Sequence, residues 1–222
     1  SAMNSTAANA QTGTIAIGAV ALNALTDGGV NLAIGHQAMD AMTQGDYNIA
    51  IGTDALGGAT TADGIDKNTC IGHYSMDGTN AGTEGNVAVG YGTLSANMTS
   101  AAHNNVAVGH LAGNAITSGE KNTFLGSGAA DALTQGDLNV AIGHNAMGNA
   151  SSTDGIDHNV IIGAYAGDEI AANALTQAVI VGYGAGSGVL TSAASGIVAV
   201  GNLALNSLTS GQRNTAVGYQ AM

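Results

Sequence analysis

Histidine is the residue type whose placement first suggests chemistry. Four of the six His, namely His36, His73, His110 and His144, directly follow a glycine, and Tyr91, Tyr183 and Tyr219 take the same place in other segments. A row of imidazoles could hold a metal or an anion. Yet the His-bearing segments are never consecutive, so on a stacked backbone they lie two steps, roughly 9–10 Å, apart. That is too far for one ion, and a column of stacked polar and aromatic rings is the plainer reading. Two Asp-Gly-Ile-Asp turns form a second group: Asp63, Ile65 and Asp66, then Asp154, Ile156 and Asp157. Paired carboxylates around a glycine could take Ca²⁺. They match neither an EF-hand loop nor the Gly-Gly-x-Gly-x-Asp nonapeptide, and Asp-Gly is ordinary turn chemistry. These turns sit in the longest segments, so the six residues are expected to bulge out as surface-contact turns. Catalysis has no foothold, because no Ser sits in a Gly-x-Ser-x-Gly elbow. The run Gly182-Tyr183-Gly184-Ala185-Gly186 lacks the following Lys and helix of a phosphate loop. The expectation is a non-enzyme with no metal and no cofactor.

The elements that carry these residues come from a repeat. Anchored on Gly18, Gly35, Gly52, Gly72, Gly90, Gly109, Gly126, Gly143, Gly163, Gly182, Gly201 and Gly218, twelve copies recur at spacings of 17 to 20 residues. The copies run from about residue 13 to the end, which predicts one repeat domain over 13–222 after a lead-in over 1–12. Ser1-Ala2-Met3 at the start of that lead-in reads as a cleavage scar. A second level is visible. The blocks 35–126 and 126–218 each hold five repeats, and Thr60-Thr61-Ala62-Asp63-Gly64-Ile65-Asp66 is echoed by Ser151-Ser152-Thr153-Asp154-Gly155-Ile156-Asp157. Duplication of a five-repeat block is the simplest account.

The residue before each glycine is Ile, Val or Leu, and two residues earlier stands an aliphatic in nine copies and Thr in three. Smaller residues alternate with these, which is the period-2 pattern of a strand. The larger aliphatics are expected to face a core. The Ala column (Ala16, Ala33, Ala50, Ala88, Ala107, Ala141, Ala199, Ala216) is expected to face outward. A second, weaker strand is expected at pairs such as Ala38-Met39 and Ala146-Met147, with Gly/Asp/Asn turns closing each coil. The fold class is therefore all-β: a parallel β-solenoid of about 12 coils, in which stacking makes the core that one coil cannot make alone. Stacked Asn side chains at nine positions, from Asn31 to Asn214, are expected to form an amide ladder.

Composition narrows function. Three Lys plus Arg against fifteen Asp plus Glu give a net charge of −12. That argues against nucleic acid and against anionic membrane surfaces. No run of 18 apolar residues is present, so this chain should not insert in a membrane. The lone Cys70 can form no intrachain disulfide. A flat outward Ala face would mark an interface, so the Ala column is the candidate trimer contact.

The Asn-x-Ala-Val/Ile-Gly-x-x-Ala motif, as in Asn214-Thr215-Ala216-Val217-Gly218-Tyr219-Gln220-Ala221, resembles the head repeats of YadA-type trimeric autotransporter adhesins. It is also similar to repeat arrays in bacteriophage tail fibres. The resemblance implies a left-handed β-roll, a parallel homotrimer and an extracellular place on a bacterial surface or a virion fibre. It further implies a role in adhesion, with a cell-surface glycan or protein receptor as partner. An ice-binding solenoid and a passive spacer within a longer fibre are the alternatives.

Overall fold

The computed structural model describes residues 12–58, 64–79, 82–150, 155–170, 175–191 and 194–222. Each repeat contributes one three-residue strand: β1 (Ile15–Ile17), β2 (Leu32–Ile34), β3 (Ile49–Ile51), β4 (Thr69–Ile71), β5 (Val87–Val89), β6 (Val106–Val108), β7 (Thr123–Leu125), β8 (Val140–Ile142), β9 (Val160–Ile162), β10 (Val179–Val181), β11 (Val198–Val200) and β12 (Thr215–Val217). They form one twelve-stranded parallel sheet in strict sequence order. The register never slips: Ala88 pairs with Ala107 and Ala107 with Phe124. The chain is a parallel β-solenoid, and each strand is one rung.

Two expectations are corrected. The alternation is right, but the faces are reversed. Ala33, Ala50, Ala88, Ala107, Ala141 and Ala199 are fully buried, Ala216 is nearly so, and Ala16 packs on the core edge. The larger aliphatics point out: Ile17 is 57% exposed and Leu125 47%. The Ala column is therefore core, not an exposed interface. The reason is the thinness of the coil. Opposite the strand lies a turn whose fourth residue after the repeat glycine is large and buried, as in Leu22, Met39, Leu56, Met76, Leu94, Met147 and Leu205. Only a small residue fits between it and the strand.

Size is traded across this gap. Where the strand position is Ile161 or Ile180, the residue six later is Gly167 or Gly186, and a Cβ there would sit 3.0 Å from the isoleucine Cδ1. Phe124, the largest core side chain, is opposed by Ala130 and fills the space over Gly113, where a Cβ would meet its ring at 2.7 Å. Volume is thus held nearly constant from rung to rung, as a close-packed core demands.

The expected second strand is a turn. Gln37 and Met39 have φ of 57° and 53°, and so do their counterparts Asp54 and Leu56 at 52° and 53°. A third left-handed residue precedes each Asn position, as at Tyr47 and Lys67. Left-handed backbone at alternate residues curls the chain instead of extending it. Hydrogen bonds still run rung to rung through these turns, such as Leu22 N–H to Ala38 O at 3.0 Å and Met147 N–H to Ala166 O at 3.0 Å. Stacking supplies the partners that local strand geometry would otherwise give.

The asparagines form the expected ladder over eight rungs, Asn31 to Asn159, all buried. From Asn48 onward each Nδ2 donates to the Oδ1 of the preceding Asn: 3.1 Å from Asn105 to Asn86 and 3.0 Å from Asn122 to Asn105. Its other hydrogen goes to a turn carbonyl of the following rung, as Asn105 to Gly119 O at 2.8 Å. The ladder stops at Ala178, whose N–H donates to Asn159 Oδ1 at 2.9 Å. Asn214 lies apart from it and bonds its own turn at Gly211 O, 2.8 Å away.

Candidate functional site

In the Asp-Gly-Ile-Asp turns the two isoleucines are not surface residues. Ile65 and Ile156 are fully buried, and their carbonyls each accept an Asn Nδ2–H at 2.6 Å, from Asn48 and Asn139. Asp66 and Asp157 turn back on the solenoid. Their Oδ1 atoms accept the backbone N–H of Asp46 at 2.8 Å and of Asp137 at 2.9 Å. These side chains satisfy backbone donors that the sheet leaves open. Asp63 and Asp154 lie outside the described residues. A shallow groove lined by Asp27, Asp46 and Asp66 follows the same edge. Among the described residues no three His, Cys, Asp or Glu converge as a metal site.

Both lysines are paired locally. Lys67 pairs with Glu84, Lys121 with Glu120 at 2.6 Å, and His103 with Glu120 at 3.3 Å. The hydrogen bond from Lys67 holds Glu84 below the usual carboxylate range, and that from Lys121 does the same for Glu120. On the turn opposite the sheet, burial pushes Asp77, Asp131 and Asp168 up, and Asp77 is raised further by its neighbours Asp54 and Asp40. Burial also pushes the Cys70 thiol well up, and its Sγ lies 3.3 Å from Met76 Sδ. Cys70 is therefore core, not chemistry. In the folded protein it is expected to react with iodoacetamide at least about 100-fold more slowly than in denaturant. Mass spectrometry of the alkylated chain checks this, and equal rates would place the thiol outside the core.

Two surfaces remain. The first is the outer face of the sheet. Its two columns hold 24 side chains, 21 of them Val, Ile or Leu; the others are Thr69, Thr123 and Thr215. By rung spacing the face is roughly 55 Å long. No described side chain covers it, and Ile71, Val106 and Val179 are each 38% exposed. Its sequence signal, the aliphatic columns, is plain, but alternation alone does not say that these columns face outward.

The second surface lies just beyond the strands. Tyr74 meets Tyr91 edge-on with ring centroids 5.6 Å apart, and Tyr91 stacks on His110 at 5.6 Å with an interplanar angle of 18°. Further along, His144 meets Tyr165 at 5.2 Å and Tyr165 meets Tyr183 at 6.0 Å, both edge-on. Of the column expected from the sequence, Tyr91, His110, His144 and Tyr183 join two three-ring groups, while His36, His73 and Tyr219 take no part in them. Tyr74 and Tyr165 were missed because they stand one residue later than the column, in the left-handed position, with φ of 59° and 57°.

No family model matches this chain, and neither a curated protein nor a solved structure matches it. The fold and surfaces define the class, a parallel β-solenoid with one bare apolar sheet face. No helix among the described residues is long and apolar enough to cross a membrane.

Proposed function

We propose that the chain is a segment of an extracellular trimeric fibre that acts in adhesion or cell-surface recognition, without catalysis. Three copies would pack their outer sheet faces around a common axis as left-handed solenoids, in the manner of the adhesin heads and tail fibres that the repeat resembles. The observation that supports this most is the bare double column of Val, Ile and Leu. Parallel sheets occur almost only with both faces covered, and continuous apolar patches on soluble proteins mark interfaces. The contact thus moves from the Ala column to its neighbours on either side. A trimer would also present any weak surface site three times, which suits adhesion through multivalency.

Light scattering after size exclusion tests the assembly. The expected mass is about 64.5 kDa (3 × 21.5 kDa). Val106→Lys combined with Ile142→Lys should bring it to about 21.5 kDa while the circular dichroism stays that of the parent, since both side chains point outward. A parent that runs as a monomer overturns the proposal. One observation favours a second reading: the same face repeats its side chains in register from rung to rung, as an ice-binding surface requires. Thermal hysteresis in a monomeric protein would support that reading; the scarcity of outward Thr weighs against it.

A further inference from the structure

The ring groups lie on consecutive rungs. From β4 to β10 the order is Tyr74, Tyr91, His110, Ser127, His144, Tyr165, Tyr183. This is a strip of seven positions whose two halves mirror one another about Ser127. It uses four of the chain's six Tyr, in a protein with one Phe and no Trp. Aromatic residues are scarce here, and most of them are spent on one exposed line. Tyr91 and Tyr183 are 51% and 55% exposed, so these rings contribute less to the core than to the surface. The His144 imidazole is held from within the strip: its Nδ1 lies 3.1 Å from Ser127 O. The Tyr–Tyr contact is repeated almost unchanged 91 to 92 residues later, as Tyr74–Tyr91 and Tyr165–Tyr183.

The geometry points to a glycan platform: this strip binds an extended, neutral polysaccharide running parallel to the solenoid axis. Sugar rings present C–H faces that stack on aromatic faces, and their hydroxyls suit Tyr Oη, His and Ser partners. The strip spans six rung steps, roughly 29 Å, with rings at nearly every step, so a chain of several pyranose units has a ring to meet along its length. Charge selects the neutral class. The two columns that carry the rings hold no Asp, Glu, Lys or Arg between His73 and Tyr183, while the whole chain carries −12. Anionic polysaccharides would be repelled at long range and would find no cation in the strip.

The inference names the ligand class of the adhesive reading above and rests on it for biological sense, but its test is separate. With no Trp in the chain, tyrosine emission reads the strip directly. The probes are hydroxyethyl cellulose, galactomannan and dextran, in native affinity electrophoresis and fluorescence titration. At least one probe should retard the protein and shift its tyrosine emission. Tyr91→Ala and Tyr183→Ala should each weaken binding about tenfold, at the upper end of what one aromatic contact supplies. Tyr47→Ala, an exposed tyrosine away from the strip, should leave it unchanged. Retardation of a monomeric protein would support the strip even as it removes the fibre. No retardation by any probe, equal retardation of parent and strip variants, or a fall in oligomeric mass caused by Tyr91→Ala would overturn it. The last result would assign the strip to subunit contact.

Discussion

Gly109→Ala is expected to destabilise the solenoid by about 3–5 kcal/mol. A Cβ at this residue would sit 2.4 Å from the carbonyl oxygen of Gly126 and 2.6 Å from its carbonyl carbon, with φ at +141°. The obstacle is backbone on the next rung, so no rotamer change relieves it. Both glycines are pinned, since Gly109 N–H bonds Val89 O at 2.8 Å and Gly126 N–H bonds Val108 O at 2.9 Å. Relief means opening the ladder. Forced backbone costs about 1–3 kcal/mol, and overpacking costs a similar amount. Against a typical stability of about 5–15 kcal/mol, that is a large fraction. In a stacked array it should act locally, splitting the rod between β6 and β7. The measurement is urea unfolding at fixed protein concentration, paired with limited proteolysis near residues 109–126. Gly218→Ala is the control. Its φ of +130° is similar, but nothing lies within 4 Å of the added Cβ, so only the conformational cost should register. Equal effects at the two sites would remove the stacking explanation of the repeat glycine.

Asn105→Ala should cost about 2–5 kcal/mol. Asn105 Oδ1 accepts two bonds from Asn122, from N–H and Nδ2–H, both at 3.0 Å. Its Nδ2 donates to Asn86 Oδ1 and to Gly119 O. Removing the amide strands the Asn122 N–H and the Gly119 carbonyl in the interior, and each orphaned buried group costs about 1–3 kcal/mol. A polar ladder that is fully satisfied is stabilising; one with a missing member is not. Asn105→Asp should fare no better, since it loses both donors and buries a charge. Asn214→Ala, which breaks a single bond to its own turn, should stay within about 0.5–1.5 kcal/mol of the parent. Thermal melts of the three variants decide the matter. A ladder variant as stable as Asn214→Ala would mean the amides contribute no cooperative support.

The period of this chain was readable from its residues. Glycine spacing located all twelve strands, because one position per coil cannot hold a Cβ wherever a further rung stacks on it. The Asn column announced its ladder, because a buried amide needs donors and acceptors above and below. The faces of the strand were read backwards, because both columns are apolar and alternation alone does not say which side is inside. The deciding signal was present and more subtle: Ala six residues before Leu or Met, Ile before Gly, Phe124 before Ala130. That reciprocity of volume belongs to residues facing each other across a core. The turns were misread as strands because left-handed Met and Leu are uncommon, and nothing local favours them; the neighbouring rungs hold them there.

By itself, then, the sequence determined the repeat, the parallel stacking, the stop points of each strand and the amide ladder, since these follow from steric and hydrogen-bonding needs that recur at fixed spacing. Only the tertiary structure decided which aliphatics are core. It alone turned Ile65 and Ile156 inward, and joined Tyr74 and Tyr165 to a ring column one residue away. Those outcomes depend on the thickness of the coil and on contacts between rungs, which no single repeat contains.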